Sequence, residues 1–351
     1  MGRWILGVLV GIGAGYYTLR SVSVGDVTDS LSEVSLLHIA GTFLVMCSAY
    51  YFRLHRWKIL LYPMKQVPLS GLISPLAIGL MGNILPGRTG ELLKGFLLSR
   101  KHNVPFTGGM ATVVAERLCD LTVILLLCFW VFRFALPADL VSDVYPELPL
   151  RDVLLRFSEF GLAAAVILVL LVVLSTTQRA ASLRIVNSLG RFLPTRWVDI
   201  TNDAVGHVAE GFGAFAKPRD VLLIVMDSLL LWGITIVSFA PLYWAFDLQE
   251  KTLVSLIVVR VMISVFITVL PTPAFLGSFS AGAIVALRDV MGEGVVAAAG
   301  FGVLVWALNT LLVFGAGLLM VILEGSPFRD LWWRSTQSEA SRQSTTGEMA
   351  E

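Results

Sequence analysis

Charge is what this sequence is short of. Asp, Glu, Lys and Arg make up only 15% of its 351 residues, against about 25% in soluble domains. Hydrophobic residues reach 56%, with a mean hydropathy of +0.80. A soluble chain of this length has too little polar surface to cover so much apolar surface, so the expected class is an all-α polytopic membrane protein. The net charge of +1 argues against nucleic acid as a partner. Cysteine is scarce too. Cys47, Cys119 and Cys128 lie in apolar segments without CxxC or metal-site spacing and read as small core residues. The four histidines, His38, His55, His102 and His207, form no HxxH or HExxH arrangement. No Ser/His/Asp set and no glycine-rich phosphate loop is visible, so the expectation is no enzyme, no cofactor and no metal.

Apolar runs carry the organisation. Residues 4–19 follow Arg3 in the manner of a signal peptide, yet they have span length, contain Tyr16-Tyr17 and lack an A-x-A site. A retained first span over 4–20 is expected. The connector 21–35 carries Asp26, Asp29 and Glu33 and no Lys or Arg, whereas span two, about 36–53, runs into Arg53, His55, Arg56, Lys58 and Lys65. The positive-inside rule puts the first connector outside and this basic one in the cytoplasm. Residues 69–85 and 92–98 are short apolar arms around Pro86-Gly87, and they read as a re-entrant hairpin from the cytoplasmic side. A long helix 105–134 follows, then the acidic connector 137–157, then the uncharged span 160–178. The stretch 179–219 places Trp197, Val198, Val205, Val208, Phe212 and Phe215 at roughly helical spacing. It reads as a cytoplasmic amphipathic helix, or as an ordinary linker helix. Span 221–246 carries Asp227, assigned to the headgroup layer or to a pair with Arg219.

From 252 the earlier order returns: an arm 252–270 with a lone Arg260, a turn with Pro271, Pro273 and Gly277, an arm 278–288, and the uncharged span 295–323. Arm, Pro/Gly turn, arm and long helix thus occur twice, from opposite sides by parity, which predicts an inverted-topology repeat. The predicted architecture is about six full spans plus two Pro/Gly-broken re-entrant hairpins, although pairs of short full spans fit the hydropathy equally. The transmembrane domain covers 1–325, with repeats at about 69–136 and 252–323. A disordered cytoplasmic tail covers 326–351. Both termini are expected in the cytoplasm of a cell (inner) membrane.

The remaining charge is concentrated around the first turn. Arg88, Glu91 and Lys94 follow the break at spacings of three, so a helix starting near Thr89 brings them toward one face. Glu116 and Asp120 are four apart with Arg117 between them, inside an expected span. A charge in hydrocarbon costs about 3 kcal/mol on insertion scales, so these groups read as a polar site. Arg88 and Lys94 beside a helix start suit an anion, and a lipid phosphate is the obvious one. The competing reading is a closed ion-pair network that joins the hairpin to the long helix. Arg260 is a further candidate, either for the headgroup or as counter-ion of Glu116 or Asp120.

Asn83-Ile-Leu-Pro86-Gly87-Arg88-Thr-Gly90-Glu91, followed by Glu116-Arg117-Leu118-Cys119-Asp120, resembles the signature of the flippase-like family, that of the transmembrane region of lysylphosphatidylglycerol synthases. The turn Leu270-Pro271-Thr272-Pro273…Gly277 resembles the family's second turn, but Ala274 and Ser280 stand where glycine and an acid are usual. The resemblance implies translocation of a phospholipid or isoprenoid-phosphate-type lipid between leaflets, in a stand-alone chain expected to carry no synthase domain. Two rivals remain: a scaffold that binds a lipid-synthesis enzyme through 179–219, and a membrane enzyme that uses Glu116 or Asp120 as base or against a divalent ion.

Overall fold

The computed structural model describes residues 23–84, 89–135, 156, 158–167, 211–269 and 272–324, and all regular structure among them is helical. The predicted span 4–20, most of 160–178, the segment 179–210 and the tail 326–351 lie outside the described residues. So do Pro86, Gly87, Arg88 and Pro271.

Helix α1 (Val24–Ser32) begins where the Ser23 hydroxyl accepts from the Asp26 amide at 3.0 Å, which satisfies one of the free N–H groups of a helix start. It meets α2 (Leu36–Leu61) at a bend of 87°. The segment expected as a bare connector is therefore largely helix. Helix α2 corrects a second boundary. Its sequence holds no Gly or Pro between Gly41 and Pro63, so nothing breaks it at residue 53. Arg53, His55, Arg56 and Lys58 belong to the helix, and Arg56 is fully buried.

Helices α3 (Leu69–Gly82) and α4 (Gly90–His102) form the first hairpin. Their backbones nearly touch: a Cβ on Gly90 would collide with the Gly79 carbonyl and lie 2.6 Å from the Asn83 amide. Only glycine permits that approach. Glu91 lies in the first turn of α4 and Arg100, Lys101 and His102 in its last, matching the helix dipole at both ends. Lys65 Nζ donates to the His102 carbonyl at 2.6 Å, and the helix stops at Asn103 with φ 49°.

Helix α5 (Phe106–Trp130) continues through a π-helical turn, Val131–Ala135. Part of the next predicted span is seen as α6 (Ser158–Ile167). A 3-10 turn, Gly213–Ala216, precedes α7 (Pro218–Val237), whose proline occupies the first turn, where no amide is needed. The short α8 (Ala240–Ala245) follows. Helix α9 (Leu253–Val269), a 3-10 turn at Pro273–Phe275 and α10 (Leu276–Ile284) make the second hairpin. A Cβ on Gly282 would lie 2.6 Å from the Ile263 Cα. A π-helical turn, Val285–Val290, leads to α11 (Val295–Leu323).

Three helical segments, Phe106–Ala135, Pro218–Ala245 and Val295–Leu323, are long and apolar enough to cross a membrane, and the bent α1–α2 pair makes a fourth. These correspond to four of the six predicted spans. The main core gathers α7 to α11 around Phe301, which meets Phe239 and Tyr243 edge-on at 5.7 Å each. A smaller cluster of Trp57, Leu72, Leu76 and Leu98 fastens α2 to the first hairpin. Helix α11 packs on α3, and α5 touches α9, so each hairpin meets the long helix of the other half.

Candidate functional site: a buried charge network

Helix α5 supplies the axis of the site. Thr112, Glu116 and Asp120 recur every four residues and share one face, turned toward α2 and α4. Glu116 and Thr112 are fully buried, and Lys94 is 2% exposed. Lys94 Nζ donates to Glu116 Oε2, and its ammonium lies 4.0 Å from the centre of the Trp57 ring. Trp57 in turn donates Nε1–H to Thr112 Oγ1 at 3.1 Å, and Thr112 donates to the Gly109 carbonyl at 2.8 Å. The lysine is thus held by a carboxylate on one side and an aromatic face on the other, a combination that stabilises a desolvated ammonium.

Arg56 completes the inner layer. It donates to Asp120 Oδ1 at 2.7 Å and to Ser228 Oγ on α7 at 2.9 Å, and lies 3.7 Å from Glu116 Oε1. Arg117 forms an outer layer, with Nε 2.9 Å from Glu91 Oε1 and Nη1 3.4 Å from Asp120 Oδ2. Glu91, Lys94, Glu116, Arg117 and Asp120, all expected at the site, therefore do meet. Arg88 lies outside the described residues. Glu91 and Lys94 engage different acids and bases on α5, so the hairpin is joined to the long helix at two points.

Two expectations are corrected. Asp227 does not pair with Arg219: it is buried at 5% exposure and lies 2.7 Å from His55 Nδ1. Its helix phase carries it into the bundle beside Ser228, the residue that Arg56 holds. No ion pair joins Arg260 to Glu116 or Asp120 among the described residues; Glu116 pairs with Lys94, and Asp120 with Arg56 and Arg117. The Arg260 guanidinium lies against Trp232 and Phe239, at 5.4 and 5.9 Å. Among the turn residues, Asn83 ends α3, Gly90 begins α4, and Gly277 lies in the first turn of α10. The second turn departs from easy geometry, since Ala274 and Phe275 have φ 51° and 61°. Trp306 on α11 holds it by donating to the Ala274 carbonyl at 2.8 Å.

Arg56, Trp57, His55 and Ser228 are the site residues that sequence reasoning missed. The signal was the unbroken stretch from 42 to 62, which carries the helix past the apparent end of the span and turns Arg56 inward.

Among the described residues, no group of three His, Cys, Asp or Glu side chains could hold a metal ion. Apolar helices of spanning length around a buried ionic layer define a multi-pass α-helical membrane protein. The chain belongs to the family of lysylphosphatidylglycerol synthase transmembrane regions, whose family model matches residues 4–325. No curated protein and no solved structure matches the chain.

Proposed function

We propose that this protein moves a phosphate-bearing lipid between the leaflets of a membrane, with the headgroup passing the charged layer between the two hairpins. The observation that carries this reading is the Lys94–Glu116 pair, buried with Arg56 at the junction of α2, α4 and α5. Buried ion pairs contribute little net stability, and replacing them by packed apolar groups is often neutral or favourable. Their presence in a chain otherwise so poor in charge points to use. Family membership favours lipid handling over other cargo. The two similarly built hairpins, each packed on the other half's long helix, suit an inverted repeat with a site between its halves. The chain is then a transporter rather than an enzyme. Glu116 and Asp120 are each held by cations, which disfavours both as a base or a divalent-ion site.

Leaflet exchange of a labelled phospholipid or isoprenoid phosphate in proteoliposomes tests this. Wild type is expected to exchange lipid, and the double variant Lys94→Met/Glu116→Leu to lose most of that activity while still folding. Equal exchange by both, or none by wild type with any phosphate lipid with or without a proton gradient, would sink the proposal.

A further inference from the structure

The six ion-paired groups of the charged layer balance. Arg56, Lys94 and Arg117 meet Glu91, Glu116 and Asp120, three cations against three anions. A phosphate entering this set adds negative charge, and net charge inside a membrane bundle is costly. It is admitted most cheaply when one of the three carboxylates gives up its place.

The contacts distinguish the three acids. Glu116 and its neighbour Arg56 are fully buried, and Glu116 accepts from Lys94. Asp120 is 13% exposed and accepts from Arg56 at 2.7 Å. Glu91 is held most loosely. Its side chain is 25% exposed, and that of its partner Arg117 is 41% exposed. Arg117 Nε lies 2.9 Å from Glu91 Oε1, yet its N–H makes no hydrogen bond there, and Glu91 Oε2 is buried with no partner among the described residues. The other contact of the arginine is long, Nη1 donating to Asp120 Oδ2 at 3.4 Å. Arg117 is thus held by two imperfect contacts at the half-open edge of the layer, between α4 and α5. A partly exposed pair of this kind contributes little and exchanges at small cost. A guanidinium presents paired N–H donors in one plane, which match two oxygens of a phosphate better than the single oxygen that Glu91 brings near.

We infer that Arg117 is the group that takes the phosphate, and that Glu91 is the carboxylate it displaces, a tethered acid that competes with the phosphate for the arginine. This rests on the lipid-transport reading for the source of the ligand and deepens it by assigning the acceptor and its competitor. The chemistry recognised is the phosphate, whether on a lipid or free.

The test is ligand binding to the full-length protein in neutral detergent, read as thermal stabilisation and by native mass spectrometry. The probes are dioctanoyl phosphatidylglycerol, dioctanoylglycerol, which lacks the phosphate, and inorganic phosphate. Wild type is expected to prefer the phosphatidylglycerol to the phosphate-free lipid. Arg117→Gln is expected to weaken that binding about tenfold, the worth of one charge-assisted hydrogen bond. Glu91→Gln is expected to tighten it about threefold, because the partly exposed pair no longer has to open. A contact that only fastened the hairpin to α5 would not give opposite signs for its two partners. Carbodiimide labelling of the Glu91 carboxyl in wild type, read by peptide mass spectrometry, is expected to rise with phosphatidylglycerol and not with dioctanoylglycerol. That arm needs no variant to fold. Competition by inorganic phosphate would support a site that reads the anion alone, and failure to compete one that needs the lipid as well. Equal binding of the two lipids, undiminished binding in folded Arg117→Gln, binding by Glu91→Gln no tighter than wild type, or unchanged labelling of Glu91 would each overturn the inference. Binding and labelling as expected with no leaflet exchange would sink transport alone. Exchange by wild type with binding indifferent to Arg117 and Glu91 would sink this assignment alone.

Discussion

Removing one member of the Lys94–Glu116 pair and removing both should have opposite consequences. Lys94→Ala leaves a buried carboxylate whose nearest remaining cation is Arg56 at 3.7 Å. Breaking a buried pair costs about 3–5 kcal/mol, and the nearby guanidinium places this case at the lower end. Lys94→Met/Glu116→Leu removes both charges at similar volume and is expected to unfold within about 1 kcal/mol of wild type, or above it. Thermal unfolding in one detergent for wild type and both variants checks this. If the double variant is as unstable as the single one, the pair is needed for the fold itself. Trp57 belongs to the same residue-scale argument, because its ring covers the ammonium while its N–H holds Thr112 and, through it, the phase of α5 against α2.

At the scale of elements, the two hairpin turns solve one problem with unequal means. The first approaches closely through Gly79, Gly82 and Gly90. The second places an alanine at φ 51°, where an L-residue costs about 1–2 kcal/mol. Trp306 and the Thr272–Ser278 hydroxyl pair at 3.0 Å hold that turn. Ala274→Gly relieves the strain and gives back about 0.4–1 kcal/mol through the freer unfolded chain. A net stabilisation of about 0.5 kcal/mol is expected, seen as a small rise in the thermal midpoint. A fall would mean that the alanine methyl packs more usefully than its backbone is strained.

Across the whole molecule, Glu324 at the end of α11 ties the last helix back to the first hairpin. It accepts from Ser74 Oγ on α3 at 2.6 Å and pairs with Lys101 on α4. Partial burial pushes its carboxyl up, but the hydrogen bonds from Lys101 and Ser74 and the lysine charge outweigh that and hold it below the ordinary glutamate value of 4.5. A depressed acid stabilises the fold above its unfolded value and loses that contribution as pH falls through the folded one. The thermal midpoint should therefore drop on acidification below about 4.5, and Glu324→Gln should lower the neutral-pH midpoint and flatten that limb. An unchanged acid limb in the variant would assign the loss to other carboxylates.

What the sequence determined by itself was the class, helices long and apolar enough to cross a membrane, and the place of the charged cluster. Each of these follows from local facts: the scarcity of charge, apolar runs of membrane length, and ionisable residues where hydrocarbon makes them costly. Lys94, Glu116, Arg117 and Asp120 were legible for that reason. Partnership was not. Arg56 meets Asp120 across 64 positions and Ser228 across 172, and His55 meets Asp227 across 172. Which base reaches which acid depends on the rotational phase at which packed helices face each other. A shift of one residue turns a side chain by about 100° on a helix of 3.6 residues per turn. Only the tertiary packing sets that phase, and so only it could assign each acid of the charged layer to its base.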